Sequence, residues 1–159
     1  MVTKPDSRIP ADASPMSLAL DEARAAAQRG EVPVGAVILL REERRIVARA
    51  GNETEARRDP TAHAEMLAIR RAAAALGRSR LTGCDLYVTL EPCAMCAGAI
   101  AHARLDRLYF GAADPKGGAV LHGGRLFEQP TCHHRPDVYD GLGEREAAAL
   151  LRQFFAERR

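Results

Sequence analysis

Two short segments constrain this chain more than any other feature. His63-Ala64-Glu65 reads as lying two residues into one helix, and Pro92-Cys93-Ala94-Met95-Cys96 opens the next, with a strand between them. Cys93 and Cys96 are three residues apart and so share a face of a helix. Both segments feed helix N-termini, where the exposed backbone N–H groups favour thiolate. A fold that keeps these segments must alternate helix and strand.

The rest of the chain supports that alternation. Residues 16–28 read as a helix through Met16, Leu18, Ala19 and Ala23, with Ser14 or Ser17 as its cap and Gly30 as its stop. Residues 34–40 form a short apolar strand, and residues 45–50 its antiparallel return. Asp59-Pro60-Thr61 predicts a helix start, and Gly77 its end. Residues 85–90 and 108–111 are strands, residues 93–103 a helix, and residues 144–159 an amphipathic helix through Ala147, Leu150, Leu151, Phe154 and Phe155. Residues 113–137 have no period and are rich in Gly, Pro and His, which marks a functional loop. Residues 1–15, punctuated by Pro5, Pro10 and Pro15, read as a flexible leader, and residues 16–159 as one domain without internal repeats. The expected architecture is a three-layer α/β/α sandwich over a central mixed sheet.

Composition removes several classes. At 159 residues and 47% apolar, the chain has ordinary globular make-up, which excludes collagen, coiled coil and wholesale disorder. Its longest aliphatic runs, such as residues 36–40, are far short of the roughly 20 residues that span a bilayer. No signal-peptide stretch precedes them, so the expected compartment is the cytoplasm, with no membrane partner. Twenty-three bases against 21 acids give a net charge of +2, so bulk electrostatics do not announce a polyanion partner. All the bases but Lys4 and Lys116 are Arg, whose forked guanidinium suits phosphates and base planes; compositional bias in an Ala-rich chain explains the same count. Four cysteines in a reducing compartment point to metal binding or catalysis rather than disulfides.

His63, Cys93 and Cys96 are soft or borderline ligands that suit Zn²⁺. A structural zinc takes four protein groups, whereas three plus water is the catalytic pattern. Zinc lowers the pKa of its water from 15.7 to about 7, worth roughly 12 kcal/mol in making hydroxide. Glu65, two residues from His63, is placed to shuttle protons. A lone Cys-x-x-Cys also serves as a redox pair or half of a structural site. Cys84, Cys132, His102, His122, His133 and His134 are the residues that would close such a site. The joint pattern, His-x-Glu and then Pro-Cys-x-x-Cys, is the specific one, and it is the signature of zinc deaminases.

With these residues in view, the sequence resembles the cytidine deaminase-like superfamily, and within it the bacterial tRNA-specific adenosine deaminases. The stretches that carry the resemblance are residues 31–36 (Glu-Val-Pro-Val-Gly-Ala), 59–65 (Asp-Pro-Thr-Ala-His-Ala-Glu), 86–99 around Cys93 and Cys96, 109–118, and Phe154-Phe155. The resemblance covers nearly the whole chain from Ser17. It implies a five-stranded sheet, one Zn²⁺ per chain on His63, Cys93 and Cys96, and Glu65 as proton shuttle. It also implies Asn52 on the target base, Val34 packed against that base, and Asp114 in the loop touching the substrate backbone. The implied activity is conversion of adenosine to inosine at the wobble position of a tRNA anticodon stem-loop, by a homodimer whose sites are walled partly by the other chain.

An adenine inside a stack cannot reach a buried zinc, so it must be splayed from a single-stranded loop. Phe154, Phe155, Arg152, Arg158 and Arg159 form a candidate grip on the flanking nucleotides. For Phe154 and Phe155, plain core packing is the competing explanation. The alternative function is deamination of a free nucleobase or nucleoside, such as guanine or cytosine. A zinc-stabilised binding subunit needs no Glu65, and a redox protein needs no His63.

Overall fold

The computed structural model describes Ile9 and residues 13–158. Most of the expected leader lies outside the described residues. Helix α1 (Pro15–Gln28) begins on a reciprocal cap, with Ser17 N–H donating to Ser14 Oγ at 3.1 Å and Ser14 N–H to Ser17 Oγ at 3.0 Å. Strands β1 (Gly35–Leu40) and β2 (Arg45–Gly51) form an antiparallel hairpin with a bulge beside Ile38 and Leu39. A short helix α2 (Thr54–Arg57) precedes α3 (Ala64–Leu76), which ends at Gly77 in the left-handed region. Then come β3 (Cys84–Leu90), α4 (Ala94–Ala103), β4 (Arg107–Ala112), a single 3₁₀ turn at Leu126–Glu128, β5 (Asp137–Tyr139) and α5 (Glu144–Ala156).

The sheet order is β2-β1-β3-β4-β5. β1 is antiparallel to both β2 and β3, while β3, β4 and β5 run parallel, so the sheet is mixed and five-stranded as expected. Alternating side chains divide it into two faces. Ala36, Ile38, Leu86, Val88, Leu108 and Phe110 pack with Leu67 and Ala68 of α3 and Ile100 of α4. Val37 and Leu39 face the other way, onto Met16, Ala19 and Leu20 of α1, with Ala147 of α5 in the same cluster. The three-layer sandwich follows from this division. Gly35 sets the approach of α1 to the sheet, since a Cβ there would lie 1.9 Å from the Ala19 carbonyl oxygen.

Two boundaries differ from expectation for physical reasons. Asp59-Pro60-Thr61 does not start a helix. Asp59 Oδ1 accepts the Thr61 N–H at 2.8 Å and its hydroxyl at 2.7 Å, which closes a turn, and α3 begins later, at Ala64. The fifth strand has only three residues, too few for a period, and is placed by its register on β4, with Tyr109 opposite Tyr139. The ring of Tyr109 stacks between those of Tyr87 and Tyr139, at centroid distances of 4.4 and 4.8 Å.

Candidate metal centre and active site

Helices α3 and α4 follow the sheet on the same face, and their first residues meet. His63 is the N-cap of α3 and Cys93 the N-cap of α4, both with extended backbone, while Cys96 lies in the first turn of α4. His63 therefore stands just before its helix, not two residues inside it. Pro92 ends the run from β3, and the Cys93 carbonyl accepts the Ala97 N–H at 2.9 Å, the first bond of the helix.

His63 Nδ1 is 3.6 Å from the Sγ of Cys93 and 3.6 Å from that of Cys96. All three ligand atoms lie within 4.8 Å of one another. Two sulfurs and one imidazole on two helix N-termini form a site for a soft or borderline metal ion. Bonds from Cys96 and then His63, against the cost of burial, bring the Cys93 thiol down to about 4. Its thiolate in turn raises the imidazole of His63, while burial opposes the rise. Cys96 moves upward, because its proton is held by Cys93 and because it is buried beside Glu65.

Glu65, in the first turn of α3, is 4% exposed. Burial is the main cause that raises its pKa, against the pull of its own backbone N–H and the Cys96 thiol. A buried carboxyl group with a raised pKa, set against the group of His63, Cys93 and Cys96, is equipped to give and take protons.

The other sequence-selected residues divide in two. Asn52 is buried beside this corner: its Oδ1 accepts the Ala64 N–H at 2.9 Å, satisfying a first-turn donor of α3. That bond fixes which end of the carboxamide is oxygen and leaves the NH₂ as a donor. Val34 is buried, and its carbonyl accepts the Asn52 N–H at 3.1 Å, tying the pair together. Asp114 is partly exposed, and its Oδ1 accepts N–H groups of Lys116 at 3.2 Å and Gly117 at 3.0 Å. Phe154, in contrast, is 6% exposed, and the Arg158 guanidinium carbon lies 3.4 Å above its ring centre. The exposed ring on α5 is that of Phe155, 48% exposed and edge-on to Phe154 with centroids 5.4 Å apart.

The remaining cysteines and histidines do not join the metal group. Cys84 is buried in the core, Cys132 donates to the His134 carbonyl at 3.1 Å, and His134 Nε2 donates to the Leu105 carbonyl at 2.6 Å. His122 pairs with Glu91. Sequence reasoning passed over Glu91 except as part of a motif; its one signal was an acid abutting Pro-Cys at the end of an apolar strand. Outside the corner, a groove of about 560 Å³ runs along α4, lined by Met66, Met95, Gly98, Leu126 and Cys132 among others.

Residues 11–159 match the MafB19-like deaminase family. The tRNA-specific adenosine deaminase of Agrobacterium fabrum (strain C58) is 62% identical over 144 residues, covering 91% of this chain and 93% of that protein. The chain belongs to the tRNA-specific adenosine deaminase family. The member from Bacillus subtilis (strain 168) is 46% identical over 144 residues, covering 91% of this chain and 88% of its own. A solved structure from a study of A-to-I editing by tRNA:A34 deaminases at the wobble position superimposes with a TM-score of 0.84 at 61% identity, covering 86% of this chain and 98% of that one. The guanine deaminase of Nitrosomonas europaea shares the fold at a TM-score of 0.80 but only 25% identity, over 94% of this chain and 87% of its own. The family's tRNA deaminases and a free-base deaminase thus share one scaffold, and identity separates them.

Proposed function

We propose that this protein is a zinc-dependent hydrolase that converts adenosine to inosine at the wobble position of a tRNA anticodon loop. The observation that carries the reading is the high, near full-length identity to a tRNA-specific adenosine deaminase in a chain whose His63, Cys93 and Cys96 converge with Glu65 beside them. Zinc is the ion assigned. A tetrahedral ion about 2.3 Å from sulfur and about 2.05 Å from nitrogen separates those atoms by about 3.6 Å. The two Sγ–Nδ1 distances are both 3.6 Å. The three protein donors leave one tetrahedral position open, which suits a catalytic site. When bound, zinc lowers the pKa of its water to about 7 and supplies the nucleophile.

The chain's own residues handle the rest. Hydrolytic deamination exchanges an amino group for oxygen, with water consumed and ammonia released. A proton must reach the ring nitrogen beside the attacked carbon, and another must reach the departing amine. Glu65, buried and raised in pKa, is the carboxyl group we assign to both transfers. Asn52, its oxygen fixed on Ala64 N–H, donates through its NH₂ to an acceptor on the base edge. Val34 supplies apolar contact to the base plane. Asp114 meets the substrate backbone, and Arg158, supported by Phe154, meets phosphate.

We further assign a homodimer with one zinc per chain, in which the open, small-residue face of α4 meets the second copy. Residues 16–159 then form one catalytic domain, working in the cytoplasm, where its tRNA is found. Among the described residues, no helix is long and apolar enough to cross a membrane. The test is competitive. An anticodon stem-loop with wobble adenosine is incubated beside adenosine, adenine, guanine and cytosine, and inosine and ammonia are followed. Inosine in the stem-loop is expected. Rapid turnover of a free base with the stem-loop untouched would put a free-base deaminase in its place. Light scattering near twice the 17.2 kDa chain mass is expected for the dimer.

A further inference from the structure

Glu91 sits immediately before Pro92-Cys93 and is 2% exposed. Its carboxylate draws its N–H donors from a single loop. Oε1 accepts the Asp114 N–H at 3.1 Å and lies 2.7 Å from His122 Nδ1. Oε2 accepts the N–H groups of Val120 at 3.2 Å, Leu121 at 3.0 Å and His122 at 3.1 Å. Backbone bonds run alongside: Ala119 N–H to the Pro92 carbonyl at 2.9 Å, and Glu91 N–H to the Ala112 carbonyl at 2.9 Å. Gly118 admits the carboxylate, since a Cβ there would stand 2.4 Å from it.

A buried carboxylate needs donors, and any loop would satisfy that need. The arrangement goes further. Every side-chain bond of Glu91 ends in the loop that holds Asp114, while its backbone leads within two residues to Cys93. We propose that Glu91 is a positioning residue for substrate binding: with His122 it clamps residues 114–122 to the turn that carries Cys93, and so holds Asp114 at a fixed place beside the metal corner. This rests on the reading of the site given above. His122 donates through Nδ1, and the charge on the acceptor makes this bond stronger than a neutral one.

Three variants test the clamp. Glu91→Gln keeps the shape but turns an NH₂ group toward N–H donors. His122→Ala removes one donor, and His122→Asn restores it, because the Asn amide nitrogen falls near the place of Nδ1. Zinc content, amide hydrogen exchange of residues 114–122, and kcat and KM on the stem-loop are measured. Glu91→Gln is expected to retain zinc, speed exchange in the loop, and raise KM about tenfold with kcat within about threefold. His122→Ala should raise KM by a smaller factor, and His122→Asn should return it to within about twofold of wild type.

An unchanged KM in Glu91→Gln overturns the proposal, even if the loop exchanges faster. Loss of zinc overturns it too, because Glu91 would then serve the metal turn. If Glu91→Gln does not fold, the His122 pair decides: equal defects in Ala and Asn refute the clamp. If the wild-type enzyme ignores the stem-loop and consumes a free base, the functional reading has failed. The same KM comparison, run with that base, then decides the clamp separately.

Discussion

At the corner where α3 and α4 begin, the polar groups are buried or half-buried and packed on one another; on α5, they are exposed and their bonds are to other exposed groups. Asn52 caps α3, Glu91 gathers a loop, and His63 lies between two sulfurs. Just past α5, the Arg158 side chain meets Phe154 and, at 3.9 Å, Glu157 among the described residues, and Phe155 is 48% exposed. The first region is held in place before any substrate arrives, which is what positioned proton transfer requires. The second presents flexible cations and a ring, which suits contact with a mobile single strand. Under the proposed function, chemistry and recognition are built with different stiffness, and substitutions in the two regions should fail differently.

The largest effect is expected at the metal ligands. Cys93→Ala should lose most of its zinc by metal analysis and fall to background turnover, because two remaining donors cannot hold the ion tightly. Full zinc occupancy in that variant would remove Cys93 from the site. Next comes Glu65→Gln, in which the ligands remain and the proton shuttle does not. Turnover should drop by about 10²–10⁴ while zinc stays near one per chain. Activity close to wild type would mean that another group moves the protons.

Asn52 sharpens the comparison, because the proposed function gives its two ends separate work. Asn52→Asp keeps an acceptor for the Ala64 N–H but has no NH₂ for the base. Thermal stability should stay close to wild type while kcat/KM falls about 10- to 100-fold. Asn52→Ala removes the cap as well and should cost about a further 1 kcal/mol of stability by denaturant unfolding. If the Asn52→Asp variant is as active as wild type, the carboxamide is a structural cap only.

This difference in stiffness also explains what was legible in the sequence. The cluster of His63, Cys93 and Cys96 could be read because metal chemistry restricts residue types and spacing, and Glu65 because it follows His63 by two residues. The first two strands could be read from the apolar run at residues 36–40 and the alternation at residues 45–50. The start of α3 was misplaced because Asp59 and Pro60 suit a turn as well as a helix start. The capping bond from Asn52 spans 12 positions, so no local pattern reveals it. β5 escaped because three residues carry no period, and Glu91 because its partners lie 23 to 31 residues away. On α5, Phe154 and Phe155 look alike in sequence, and only packing separates the buried ring from the exposed one.

The smallest effect is expected on α5, and it tests whether that helix touches RNA at all. With a net charge of +2, binding has to rest on a few Arg–phosphate contacts and stacked bases. For about three to five single-strand contacts, log affinity should fall with log salt at a slope of roughly −2 to −3.5. Arg158 makes at most one of them, because its guanidinium also covers the Phe154 ring and bonds the Phe154 carbonyl at 3.0 Å. Arg158→Ala should therefore weaken stem-loop binding only a few-fold and flatten the slope by about 0.7. Arg158→Lys keeps the charge but not the planar cover on Phe154, so it should restore the slope while leaving any packing loss in place. Zinc content and turnover at saturating substrate should stay at wild-type values in both. If Arg158→Ala lowers affinity with an unchanged slope, the side chain acts by packing on Phe154, and α5 is a support for the fold rather than a surface for RNA.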